Sequence, residues 1–170
     1  MGQIISQDNL ILQRQVWKRN GQSMVFVSGC FDLLHPGHIR LLEQAHSYGD
    51  LLVVGVQGDA GVRATKGKGS ANAGPNVARP MNPAAERAEI LAALAAVDYA
   101  VEFGESSPQA LIARLSPDVI VHGAAPGPGA TYAAEPKDAS ASTTAKIVPI
   151  LLEPGYSTAQ LLERITQPLA

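Results

Sequence analysis

The chain predicts a doubly wound α/β fold, a five-stranded parallel sheet with helices on both faces, and three observations carry that expectation. Continuous apolar, β-rich runs recur along it, helical periods separate them, and 46% hydrophobic content over 170 residues fills one core rather than two. A single domain over residues 1–170 is expected.

A leading helix is read over 8–19. The five strands are read over 24–28, 51–57, 99–103, 119–122 and 146–152, and the remaining helices over 38–48, 83–96, 108–115 and 157–165. Runs such as Val25-Phe26-Val27 suit strands covered on both faces, because neither face meets water. Two segments, 67–83 and 123–144, interrupt the rhythm. They are rich in Gly, Ala, Pro, Ser and Asn, and each follows a strand on the side where such sheets bind ligands. A cover that orders over substrate and a plain surface loop both fit them. No internal repeat is present.

Thirteen basic and fifteen acidic residues give a formal net charge of −2 without any Lys/Arg block, which argues against a nucleic-acid surface or a polybasic membrane contact. No stretch of eighteen apolar residues and no charged-then-apolar leader is seen, so a soluble, cytoplasmic chain is expected. The only cysteine, Cys30, cannot form an internal disulfide and reads as a small buried hydrophobe.

The most informative segment is Val25-Phe26-Val27-Ser28-Gly29-Cys30-Phe31-Asp32-Leu33-Leu34-His35-Pro36-Gly37-His38. It runs a strand through a glycine turn into a helix that opens with two histidines. His35 and His38 are three apart and share one face of the first turn. Unpaired N–H groups and the positive end of the helix dipole point the same way, so an anion placed there meets backbone donors and imidazoles together.

Gly29-Cys30-Phe31-Asp32 followed by His35-Pro36-Gly37-His38 resembles the signature of the cytidylyltransferase-like nucleotidyltransferases, with the HxGH element at its core. The resemblance implies a Rossmann-like nucleotidyltransferase fold. It implies phosphate contacts from His35 and His38 as catalytic residues, and nucleotide-binding positions at Gly29, Cys30, Phe31 and Gly37, the last admitting the α-phosphate close to the chain.

Lys66 and Lys68 stand just beyond the second strand, where a flexible ammonium reaches a triphosphate as a point charge, and solvated lysines are the ordinary alternative. The resemblance, which includes a loop lysine near this place, favours Lys66. Arg79-Pro80-Met81-Asn82-Pro83 leads into a helix, with Asn82 read as N-cap and Pro83 in the first turn. Sugar-phosphate members carry a similar run followed by an arginine that reaches nucleotide phosphates, which makes Arg87 the counterpart; a surface Arg–Glu pair is the other reading. Gly155-Tyr156-Ser157-Thr158 precedes the last helix, where a hydroxyl serves as N-cap. The resemblance adds phosphate contacts from Ser157 and Thr158, with Ala159 in place of a third hydroxyl.

Asp32 and Asp59 read as sugar-hydroxyl or magnesium-supporting groups, or as ordinary turn residues. No protein metal-ligand set is evident, so magnesium would enter with the nucleotide. Within the family, the order of motifs over residues 8–165 most resembles the D-glycero-β-D-manno-heptose 1-phosphate adenylyltransferases. That implies ATP and heptose 1-phosphate as substrates and a homodimer. Val121-His122-Gly123-Ala124-Ala125 departs from the Lys-Gly-Gly-Asp pattern of those enzymes, with His122 left as a substrate-binding candidate. Two further readings stand beside this one: a cytidylyltransferase acting on glycerol 3-phosphate, and a nucleotide-binding protein without chemistry.

Overall fold

The computed structural model describes residues 1–66, 78–104, 107–124, 144–152 and 154–166. Most of the two low-complexity segments, with Lys68, lies outside the described residues. In chain order the elements are β1 (Gln3–Ile4), α1 (Gln7–Arg19), β2 (Met24–Gly29), α2 (Pro36–His46), β3 (Leu51–Gln57), α3 (Asp59–Lys66), α4 (Ala84–Ala92), β4 (Tyr99–Phe103), α5 (Gln109–Leu115), β5 (Val119–Ala124), β6 (Lys146–Leu151) and α6 (Thr158–Thr166).

The strands form one parallel sheet in the order β1-β4-β3-β2-β5-β6. Period-two alternation divides its side chains between two cores. Val25, Val27, Leu52, Val54 and Val121 pack with Leu41 and Leu42 of α2 and Leu91 of α4, whereas Met24, Phe26, Val53 and Ile120 pack with Leu10 and Trp17 of α1 and Leu111 of α5. Trp17 meets Tyr99 at 5.0 Å between ring centroids inside the second core. Helices therefore cover both faces, as the unbroken apolar runs require.

Among the described residues the sheet has six strands, one more than the sequence predicts. β1 is two exposed residues joined to the edge by pairing Gln3 with Tyr99 and Ile4 with Ala100, too short and too wet to leave an apolar run. Helix α3 was also not anticipated; its buried residues are only Gly61 and Val62, so it carries almost no apolar period.

At the N-terminal end of the sheet, three aspartates close the strand starts. Asp118 accepts from the Met24 N–H, Asp98 from Leu52 and Asp50 from Ser23, each at 2.7 Å. That end is fastened down. The opposite end, where β2 sits between β3 and β5 and the connections leave in opposite directions, opens the crevice in which doubly wound sheets bind ligands. Among the described residues no helix is long and apolar enough to cross a membrane.

Candidate active site

β2 delivers Gly29 to the mouth of that crevice, and the chain turns sharply at Phe31, whose φ of 46° is left-handed. Such a conformation costs on the order of 1–3 kcal/mol in a residue with a Cβ. Packing holds it: the Phe31 ring folds back to where a Cβ on Gly29 would stand, 2.9 Å away, and meets the His38 ring edge-on at 5.4 Å. Glycine at 29 is thus required by the close approach of Phe31.

His35 is the extended N-cap of α2 and Pro36 its first residue, a position that suits proline's fixed φ and missing N–H. The His35 side chain makes no capping bond. Its ring instead stacks on His38, with centroids 3.7 Å apart and 21° between planes. Nδ1 of each ring is buried without a hydrogen-bond partner. Burial pulls both imidazoles below their ordinary pKa. For His38 burial is the largest cause, followed by the nearby charges of His35, Lys66 and Arg79, and together they bring it to about 3. Both rings are therefore neutral at pH 7 in the protein alone, able to donate a hydrogen bond without carrying charge.

A cavity of about 260 Å³ opens beside this pair, walled by the turn 29–32, His38, Lys66, Arg79, Gly123 and Thr158. Six separate elements or loops thus meet around one space. Lys66 reaches it from the last position of α3, a helix end rather than the loop the sequence suggests. Thr158 reaches it at the first position of α6, while Ser157 Oγ accepts from the Gln160 N–H at 3.1 Å and caps that helix. The two hydroxyls divide the work of capping and lining.

Other predicted residues are engaged elsewhere. The Arg87 guanidinium is wholly buried: Nε donates to the Asn82 carbonyl at 2.9 Å, Nη1 to the Cys30 and Gln57 carbonyls, and Nη2 to Asp59 Oδ1 at 2.7 Å. It is neither a surface partner of a glutamate nor on the wall of the cavity. Asp59 accordingly faces Arg87. Asp32 is saturated as well, its Oδ2 accepting from Arg79 Nε at 2.8 Å and its Oδ1 from the N–H groups of Met81 and Asn82 at 2.7 and 3.0 Å. Asn82 does not cap α4; its Nδ2 donates to the Asp32 carbonyl at 2.9 Å and Pro83 takes the cap position. Cys30 is buried on the cavity wall, so packing and lining coincide there.

His122 sits in β5 opposite Pro149 of β6. Alternation along β5 sets it on the face of Ile120, toward α1 and α5, and it is Gly123 that lines the cavity. Arg79 is the wall residue that sequence reasoning passed over. The signal was present in Arg79-Pro80, which opens the run whose backbone Asp32 binds.

Among the described residues no three His, Cys, Asp or Glu side chains form a group able to hold an ion, and both candidate aspartates are committed to arginines.

Comparison with known proteins bears on the same residues. The proteins named bifunctional protein HldE from Syntrophotalea carbinolica and Koribacter versatilis are each 41% identical to the chain, over 89% and 95% of its length. The chain spans only 28% and 31% of those relatives. The crystal structure of a lipopolysaccharide core biosynthesis protein from Thermoplasma volcanium superposes with a TM-score of 0.61 at 28% identity, covering 78% of this chain and 99% of that one. A pantoate-beta-alanine ligase from Francisella tularensis shares the fold at 13% identity, with a TM-score of 0.61 over 96% of this chain and 73% of its own. The cytidylyltransferase-like family model matches residues 26–160, from the strand that leads to the histidine pair to the start of the helix that supplies Thr158. With that model spanning every wall of the cavity, the chain belongs to the cytidylyltransferase-like family of nucleotidyltransferases.

Proposed function

We propose that the chain joins a sugar 1-phosphate, heptose 1-phosphate, to the adenylyl group of ATP with release of pyrophosphate. The observation that carries this reading is the stacked His35–His38 pair at the start of α2, with an unpaired buried nitrogen on each ring beside a cavity that also receives Lys66 and Thr158. The relatives named HldE, and the neighbour named for lipopolysaccharide core biosynthesis, support a sugar phosphate as acceptor.

In this reading a phosphate oxygen of the sugar attacks the α-phosphorus in line, the bond from that phosphorus to the bridging oxygen breaks, and pyrophosphate departs. The protein positions and neutralises. His38 and His35 donate to phosphate oxygens as neutral imidazoles, and the Gly37 N–H, in the helix's first turn, adds a donor at the positive end of the dipole. Lys66 supplies a full charge on a mobile stem. Magnesium would arrive on the nucleotide and offset phosphate charge. Thr158 adds a hydroxyl from the far wall. A homodimer and a cytoplasmic setting complete the proposal.

Incubation with ATP and heptose 1-phosphate should release pyrophosphate and form ADP-heptose, with CTP and GTP much poorer donors. Equal or better turnover of glycerol 3-phosphate with CTP would reject the assignment.

A further inference from the structure

We propose that Arg79 is a phosphate-binding residue of the cavity, presenting the outer edge of its guanidinium to a phosphate group of one substrate. The inference rests on the nucleotidyltransferase reading and adds a residue to its site.

Arg79 and Arg87 flank one short segment and are both buried, yet their surroundings differ. Arg87 spends its donors on three carbonyls and a carboxylate inside the protein. Arg79 stands on the cavity wall with His38 and Lys66. Its Nε is held by Asp32, while the contact at Nη2 is the Cys30 sulfur at 3.8 Å, a weak acceptor. Among the described residues no carbonyl or carboxylate takes the Nη groups. A guanidinium carries five N–H donors in a rigid fork matched to phosphate oxygens, so the edge facing the cavity keeps the pair of donors a phosphate engages.

Asp32 makes this arrangement rigid. Its second oxygen is fixed by the Met81 and Asn82 N–H groups, so the carboxylate cannot swing away, and Arg79 is held in one orientation before any ligand arrives. Ordering a long side chain in advance removes an entropy cost from binding. Those two backbone donors also share the negative charge of Asp32, which leaves the pair a net donor toward the cavity. Arg79 is close enough to His38 to disfavour its protonation, which places both groups around the same volume.

A phosphate there belongs to the nucleotide or to the sugar, and calorimetric titration with ATP and, separately, with heptose 1-phosphate distinguishes them. Arg79→Lys keeps the charge and the Asp32 partner but loses the fork. The double variant Asp32→Asn, Arg79→Met removes both charges together, so no buried carboxylate is left unpaired. Dissociation constants should rise about tenfold or more for one ligand in both variants, with cooperative melting retained. The ligand that weakens identifies the phosphate. Folded variants that bind both ligands as the wild type does would make Arg79 a structural partner of Asp32 alone and overturn the inference. A wild-type protein that binds neither ligand would overturn the parent reading, and this one with it.

Discussion

The His35 and His38 rings lie face to face at 3.7 Å, a spacing that two imidazolium cations would not hold. A neutral pair has a consequence for stability. An imidazole in the unfolded chain titrates near pH 6.5, whereas burial and the neighbouring charges hold His38 to about 3 in the fold. Between those values the unfolded state takes a proton that the folded state refuses, so stability falls as pH drops through that window and is level above it. Melting temperatures of wild type and His38→Asn, followed from pH 7.5 to pH 4.5, should show the steeper decline in the wild type. Parallel slopes would mean that the ring titrates alike in both states.

Arg87 is a brace. It joins the turn after β2, the end of β3, the start of α3 and the approach to α4 through a single guanidinium. Arg87→Met strands two interior carbonyls and should cost about 3 kcal/mol or more in urea unfolding. Arg87→Lys, which reaches some of those acceptors, should cost less. A methionine variant within about 0.5 kcal/mol of wild type, the range of a surface change, would refute the bracing role.

Strands were legible in the sequence where both faces are buried, because Val25-Phe26-Val27 and Leu52-Val53-Val54 leave an unbroken apolar record. The edge strand Gln3–Ile4 left none, since its place comes from pairing with Tyr99 and Ala100 and not from its own side chains. Likewise the cavity's histidines and turn announced themselves through local spacing. The partners of Asp32, Asp59 and Arg87 did not: apart from the local bond of Arg87 to the Asn82 carbonyl, those contacts span 28 to 57 residues and exist only once α4 has packed against β3 and β4. A motif names charged residues without saying which of them turn inward.

The end of the sheet away from the cavity offers a control. Arg14 is buried there, donating to the Leu115 and Ser116 carbonyls at 3.3 and 3.0 Å and pairing with Asp118 at 2.9 Å, which in turn holds the first N–H of β2. Arg14→Ala should lower stability by about 2 kcal/mol through the stranded carbonyls and lost stem packing. ATP affinity per folded molecule should stay at the wild-type value in calorimetry. A weakened affinity at full folding would show that the two ends of β2 are coupled.

Gly37 separates the demands of folding from those of the site. As a helical residue it would ordinarily gain from alanine, by roughly 1 kcal/mol. A Cβ there would stand 3.1 Å from His35 Nδ1 and 3.1 Å from the Tyr156 Cβ, so either the histidine ring or the segment leading into α6 must move. Tyr156 is also held by Arg40, whose guanidinium lies 5.2 Å from its ring centroid, and that leaves the α6 side little freedom to yield. The His35 ring is then the part that yields, and the His35–His38 stack is displaced with it. Gly37→Ala should melt within a few degrees of the wild type, its helical gain offsetting the crowding, while nucleotide turnover falls about tenfold or more, the usual scale of a small misplacement of positioning groups. Unchanged turnover in a folded Gly37→Ala protein would mean that the geometry of this contact does not matter to the chemistry.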